Sequence, residues 1–240
     1  MLINGDCLEE MKTIKDNSVD IVIADLPYGR FKNLDWDKTI DLKLMWVQLW
    51  RIAKDAHTPI FLFGDMKFGV QLINSQPKYF KQEIVWNKKA TTTPFLSRKR
   101  PGKATEYIFI FYKKQPVYNY AKYHKIVSSQ KAKKAGAKLC HYHQDVVKFK
   151  PVMLYEPKLP INVINCIYKK HKKLIKKITE KPQEILEWIL KYYSNEGDTC
   201  LDFCMGSGSC GVACKTLSRI FIGIEKKKEH FDICVTRLNK

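Results

Sequence analysis

The sequence predicts an α/β protein built on a doubly wound sheet. Three observations carry that expectation: an apolar strand that ends at an acidic residue near the start, a glycine-rich turn between a strand and a helix near the end, and alternating strand-like and helix-like segments on either side of an irregular middle. With 240 residues, 45% of them hydrophobic, the chain suits one large domain with an insertion.

Val19-Asp20-Ile21-Val22-Ile23-Ala24 is a nearly continuous apolar run ending at Asp25, the pattern of a strand buried on both faces. Leu8 to Ile14 before it has helical spacing. After it, a helix is expected from about Asp41 to Lys54, a strand at Pro59–Phe63, a helix after Asp65, and strands at Phe80–Trp86 and Glu106–Tyr112 with a basic loop between them. From Lys113 to about Ile178 no strand-helix unit is legible. Regularity returns with Pro182 at a first helical position before Gln183–Leu190, a strand at Thr199–Phe203, a helix to about Leu217, a strand at Ile220–Ile224 and a helix from about Lys227.

No apolar run reaches the roughly 18 residues needed to span a bilayer, and Met1–Asp6 lacks a basic signal region. A soluble, intracellular, cytoplasmic protein is expected, with a bacterial, phage or viral origin compatible. The eight cysteines include no CxxC pair, and Cys140-His141-Tyr142-His143 has no second ligand pair at metal spacing, so free thiols and no metal are expected. Forty-three Lys and Arg against twenty-four Asp and Glu give a net charge of +19. The cations cluster at Arg98-Lys99-Arg100 with Lys103, at Lys122 to Lys138, and at Lys169-Lys170-His171-Lys172-Lys173 with Lys176-Lys177, a distribution suited to a polyanion such as nucleic acid.

Two segments carry chemistry. Asp202-Phe203-Cys204-Met205-Gly206-Ser207-Gly208-Ser209 lies between a strand and a helix, where glycines let a ligand approach the backbone, and Glu225 ends the next strand, where a carboxylate can accept from ribose hydroxyls. The turn reads GSG rather than GxGxxG, which disfavours a dinucleotide or triphosphate. S-adenosyl-L-methionine, with a carboxylate, a ribose and an adenine, suits it. Asp25-Leu26-Pro27-Tyr28 pairs an acceptor with an aromatic at the carboxyl end of a strand, the edge where open α/β sheets bind ligands.

Asp25-Leu26-Pro27-Tyr28 resembles the D-P-P-Y motif of amino-methylating DNA methyltransferases, and Asp202 to Ser209 resembles their cofactor motif. Asn4-Gly5-Asp6-Cys7-Leu8, Trp36-Asp37, Met45-Trp46, Trp86-Asn87-Lys88, Glu106–Tyr112 and Thr179-Glu180-Lys181-Pro182 are similar to family segments at like places. The catalytic motif precedes the cofactor motif, as in the permuted beta group. Leu26 stands where the family has its first proline, Lys177-Ile178 where many members have His-Pro, and Ser209 where threonine is usual.

The resemblance implies a Rossmann-like, circularly permuted S-adenosylmethionine-dependent methyltransferase fold. Leu2-Ile3-Asn4 would supply a third cofactor strand beside the last helix, and the chain termini would lie close together. It divides the chain into a catalytic part over 1–117, a target-recognition region over 118–171 and a cofactor-binding part over 172–240. It implies Asp25, Leu26, Pro27 and Tyr28 as catalytic residues, and Asp6, Cys7, Asp25, Thr179, Lys181, Asp202, Phe203, Gly206, Ser207, Gly208 and Glu225 as cofactor-binding. The expected reaction is direct in-line transfer to N6 of an adenine flipped out of double-stranded DNA, in a restriction-modification setting, with Tyr28 stacked on the base and a homodimer compatible. N4 methylation of cytosine, RNA adenine methylation and a catalytically weak DNA-binding protein are the alternatives. Carbon-5 methylation of cytosine is disfavoured because no Pro-Cys dipeptide supplies its nucleophile.

Overall fold

The computed structural model describes residues 1–29, 39–130, 152–167 and 180–239. They divide into a main unit, Met1–Tyr118 with Asn162–Lys240, and a small unit, Asn119–Ile161. Ten strands occur among them: β1 (Leu2–Asn4), β2 (Ile21–Asp25), β3 (Ile60–Gly64), β4 (Phe80–Asn87), β5 (Thr105–Phe111), β6 (Lys125–Gln130), β7 (Val152–Glu156), β8 (Val163–Asn165), β9 (Thr199–Asp202) and β10 (Ile220–Glu225).

Eight strands form the main sheet in the order β1-β10-β9-β2-β3-β5-β4-β8. The run from β1 to β3 is parallel, β5 is antiparallel to both neighbours, and β8 is parallel to β4. β2 reads as continuously apolar because both its faces are covered. Val22 and Ala24 enter one core layer with Met45, Trp46 and Leu49 of α2 (Leu42–Ile52) and Phe68 and Leu72 of α3 (Met66–Ser75). Ile21 and Ile23 enter the opposite layer with Ile185, Leu186, Ile189 and Leu190 of α5 (Gln183–Tyr193). β3 repeats the alternation, Ile60 and Leu62 on one face and Phe61 and Phe63 on the other. The doubly wound sheet is therefore present. So is the edge strand read at Leu2-Ile3-Asn4, which pairs with Gly223, Ile224 and Glu225.

Aspartates open the first three α-helices. Asp41 accepts from Leu44 N at 3.0 Å ahead of α2, and Asp65 from Phe68 N at 2.7 Å ahead of α3. Three local readings change. The helix expected over Leu8–Ile14 is α1 (Cys7–Glu10), capped by Asp6, followed by a 3-10 turn at Met11–Thr13. Pro182 precedes α5 as its cap, at φ −60° and ψ 133°, rather than filling the first helical position. The middle contains structure that periodicity did not reveal: in the small unit α4 (Tyr120–Tyr123) leads into β6, which pairs antiparallel with β7. β8, inside the stretch expected to serve target recognition, belongs to the main sheet.

Two more helices, α6 (Ser209–Thr216) and α7 (Lys228–Leu238), follow β9 and β10 respectively. Seven cysteines are described, all free; Cys140 and its neighbouring histidines fall outside the described residues. Among the described residues no helix is long and apolar enough to cross a membrane.

Candidate active site

A cavity of about 520 Å³ opens at the carboxyl ends of β1, β2, β9 and β10, a volume suited to a cofactor-sized ligand. Asp6 and Cys7 from the turn after β1, Asp25, Leu26 and Pro27 from the end of β2, Lys181 before α5, Asp202, Phe203, Gly206 and Ser207 from the turn after β9, and Glu225 from the end of β10 all line it. The parallel run accounts for this convergence, since every strand in it delivers its last residue to the same edge. Gly208 and Tyr28 are not among the lining residues. Thr179 and Trp36-Asp37 lie outside the described residues, as do the cations from Lys131 to Lys138 and from Lys169 to Lys177.

The glycine turn and Glu225 are built as one piece. Gly206 N donates to Glu225 Oε2 at 3.0 Å and Lys227 N to Oε1 at 2.8 Å, which fixes the carboxylate plane while leaving each oxygen a further lone pair. Gly206 has φ +52° and a Cβ built there meets nothing within 4 Å, whereas a Cβ at Gly208, φ +80°, would sit 2.4 Å from Cys234 Sγ. The first glycine thus faces the cavity and the second is a packing contact, a distinction that GSG does not reveal. Gly206→Val is expected to weaken cofactor binding about tenfold or more through backbone strain and crowding, with folding retained, and Gly208→Val to destabilise the fold instead. Calorimetric titration beside a thermal melt separates the two, and unchanged affinity for Gly206→Val would count against the pocket.

Burial raises the Asp202 carboxyl well above the usual carboxylate range; the hydrogen bond from Cys204 N, 3.1 Å, opposes that shift, and the nearby Asp25 and Glu225 add to it. Asp202 is consequently a structural acid that can hold a proton. Ser207 Oγ donates to Glu180 Oε1 at 3.0 Å, and Arg237 reaches the same oxygen at 3.0 Å. Asp6 caps α1 through Leu8 N and takes Lys226 at 3.1 Å.

Asp25 lies in a different network. Lys181 Nζ donates to Asp25 Oδ2 at 2.6 Å and reaches Glu106 Oε1 at 2.9 Å, while Lys88 Nζ donates to Glu106 Oε2 at 2.7 Å. Tyr28 OH donates to Asp25 Oδ1 at 2.7 Å and lies 3.3 Å from Glu106 Oε1. Burial works against the charge on Glu106, but Lys181 and Lys88 outweigh it and hold the carboxyl at about 2. Burial likewise opposes the charge on Lys181, and Asp25 and Glu106 reverse that and hold the ammonium above the usual lysine range. Burial, then Asp25 and Glu106, push the Tyr28 phenol up, so it is a neutral donor.

Leu26 buries its side chain in the α2–α3 core layer, 3% exposed, so the residue that replaces proline is held by packing. Tyr28 packs its ring 5.3 Å from that of Phe68 and turns its hydroxyl to Asp25. Glu106 and Lys88 were not singled out from the sequence as site residues. Their signal was present in a weak form: an acid and a cation at the ends of two apolar strands, on the edge where Asp25 ends a third.

Comparison with known proteins identifies the family to which the chain belongs. A family model described as DNA methylase matches residues 19–236. The chain is 28% identical to the type II methyltransferase M2.LlaDCHI of Lactococcus lactis subsp. cremoris, over 100% of this chain and 89% of that protein. It is 29% identical to the DNA adenine methyltransferase YhdJ of Escherichia coli, over 99% and 82%. Among solved structures, the M1.HpyAVI–SAM complex superposes with a TM-score of 0.66 at 23% identity, covering 100% of this chain and 99% of that one, a likeness of fold.

Proposed function

Because the chain belongs to the DNA methylase family, whose model spans residues 19–236, we propose that it transfers the methyl group of S-adenosylmethionine to N6 of adenine in double-stranded DNA. Convergence of Asp25 with the Gly206–Glu225 cradle on one cavity is the observation that carries this reading. The cradle fits the cofactor: an open glycine backbone, a carboxylate with lone pairs to spare and a cavity of adequate size. When bound, the cofactor supplies an electrophilic sulfonium methyl.

The protein's part is to make a poor nucleophile reactive. The lone pair of an exocyclic amine is delocalised into its ring, and two acceptors that take its hydrogens in tetrahedral directions localise it toward the methyl. The Asp25 carboxylate and the Leu26 carbonyl are those acceptors. Lys181 and the Tyr28 hydroxyl hold Asp25 by one oxygen each and so set the plane of the carboxylate. Tyr28 borders the target ring, and once the methyl is in place Asp25 receives the proton that the nitrogen releases. Target recognition falls to residues 118–171, which include the small unit Asn119–Ile161 and whose cations and tyrosines suit phosphates and bases.

Incubating DNA with the protein and labelled cofactor, digesting to nucleosides and separating these by mass spectrometry tests the assignment. N6-methyladenine is the expected main product. N4-methylcytosine in its place would refute the base assignment, and label in RNA alone, or in no nucleic acid, would refute the reaction.

A further inference from the structure

The loop that joins β4 to β5, residues 88–104, emerges level with Asp25. Ile108 of β5 lies opposite Phe63 of β3, and Phe63 lies opposite Asp25, so the start of β5 is on the edge where the cavity opens. Side chains complete the connection: Lys88, the first loop residue, reaches Glu106 at 2.7 Å, Glu106 reaches Lys181 at 2.9 Å, and Lys181 reaches Asp25 at 2.6 Å.

This loop has its own internal hydrogen bonds. Lys88 N donates to Ala104 O at 2.8 Å, Thr92 N to Lys103 O at 2.7 Å, and Lys103 N to Thr93 Oγ1 at 3.0 Å. At its tip a 3-10 turn, Pro94–Leu96, begins on proline, whose fixed φ stiffens it. On that turn Phe95 is 95% exposed, more than any other large apolar side chain among the described residues. A phenyl ring held in water forgoes the stabilisation of burial. Six cations, Lys88, Lys89, Arg98, Lys99, Arg100 and Lys103, share the loop with no acidic residue, and Arg98, Lys99 and Arg100, which follow Phe95 closely in sequence, are exposed.

We propose that this loop enters the target duplex beside the methylation site, with Phe95 filling the gap in the base stack that the extruded base leaves and the arginines and lysines lying on the flanking phosphates. The proposal rests on the DNA-methylating function stated above. An amino group inside a duplex cannot reach the Asp25 carboxylate, so its base must leave the stack. The vacated gap costs stacking energy, and an apolar wedge offsets that cost by restoring contact with the neighbouring bases. Cations on the same loop act without regard to sequence, because phosphates carry no base information.

The test uses duplexes containing the methylation site, once sequencing of modified bases has located it, with the target base either paired normally or mispaired. Phe95→Ala is expected to lower kcat/KM on the paired duplex by about tenfold or more, the scale of a lost base–aromatic stack, and to act on the mispaired duplex nearly as the unchanged protein does. Phe95→Trp should retain activity on both, and cofactor affinity and thermal midpoint should stay the same in both variants. Phe95→Ala at full rate on both duplexes, or slowed equally on both, overturns the wedge. Absence of methyl transfer by the unchanged protein to any DNA overturns the functional reading instead, and the wedge with it.

Discussion

Replacing Asp25 by alanine is expected to lower methyl transfer by at least about 10²–10³-fold, the scale on which a preorganised group at a reacting atom is felt, while cofactor affinity changes only a few-fold. The asymmetry follows from which atoms Asp25 serves. The cofactor cradle proposed above is made by Gly206, Glu225 and the turn after β9, and its hydrogen bonds do not pass through Asp25. Asp25 instead ends β2 with its oxygens held by Lys181 and Tyr28. Asp25→Asn separates charge from shape, because the amide keeps one acceptor oxygen and loses the negative charge; it should also fall short of the unchanged protein by a wide margin. Transfer of labelled methyl measured beside calorimetric cofactor binding decides the matter. Undiminished turnover in Asp25→Ala, or loss of the folded state, would sink the assignment.

Lys181→Met should produce the largest loss of stability of any single change at the site. The lysine side chain is 12% exposed and bridges two carboxylates, so its removal leaves Asp25 and Glu106 facing each other without the shared cation. Breaking a buried ion pair costs roughly 3–5 kcal/mol, and the lower end applies here because Lys88 stays with Glu106. The sign of the pH dependence follows from Glu106, whose carboxyl is held down at about 2. A depressed carboxyl contributes stability that is fully present above its unfolded pKa, about 4.3, and that is lost as pH falls through the folded value. Urea midpoints should therefore fall between about pH 5 and pH 2 in the unchanged protein, and fall by less over the same range in Lys181→Met, whose Glu106 keeps only Lys88 as a cationic partner. Parallel profiles for the two would show that the bridge contributes nothing to folding.

Much of the main sheet was legible because its chemistry is local. β2 and β3 are continuous apolar runs since both faces are covered, and an acid at the end of one of them announced the cavity edge. The two segments proposed as catalytic and cofactor-binding were legible for the same reason: each is a short stretch of residues that line one cavity. What escaped notice depends on contacts between distant positions. Glu106 looks in sequence like the first polar residue of a strand, and only the fold brings it to Lys181 and Tyr28. The β6–β7 ribbon went unread because apolar and polar side chains alike are exposed on it, Ile126, Val127, Met153 and Leu154 among them, so no buried face imposed an alternation. The differing duties of Gly206 and Gly208 depend on where each Cβ would point, which the letters do not encode.

The pairing of β1 with β10 bears on how the molecule assembles. Asn4 Nδ2 donates to Glu225 O across 221 positions of sequence, and Met1 N reaches Phe221 O across 220. Contacts of such long range order a great length of chain before they gain anything, so this border of the sheet adds to the non-local contacts that slow folding. The cavity needs both sides of that border, Asp6 and Cys7 from one and Glu225 from the other. A ligand seated there recognises only the finished molecule, and by mass action a concentration 100 times its dissociation constant adds about 2.7 kcal/mol to the native state. Saturation with the cofactor is therefore expected to raise the thermal midpoint of the folded chain.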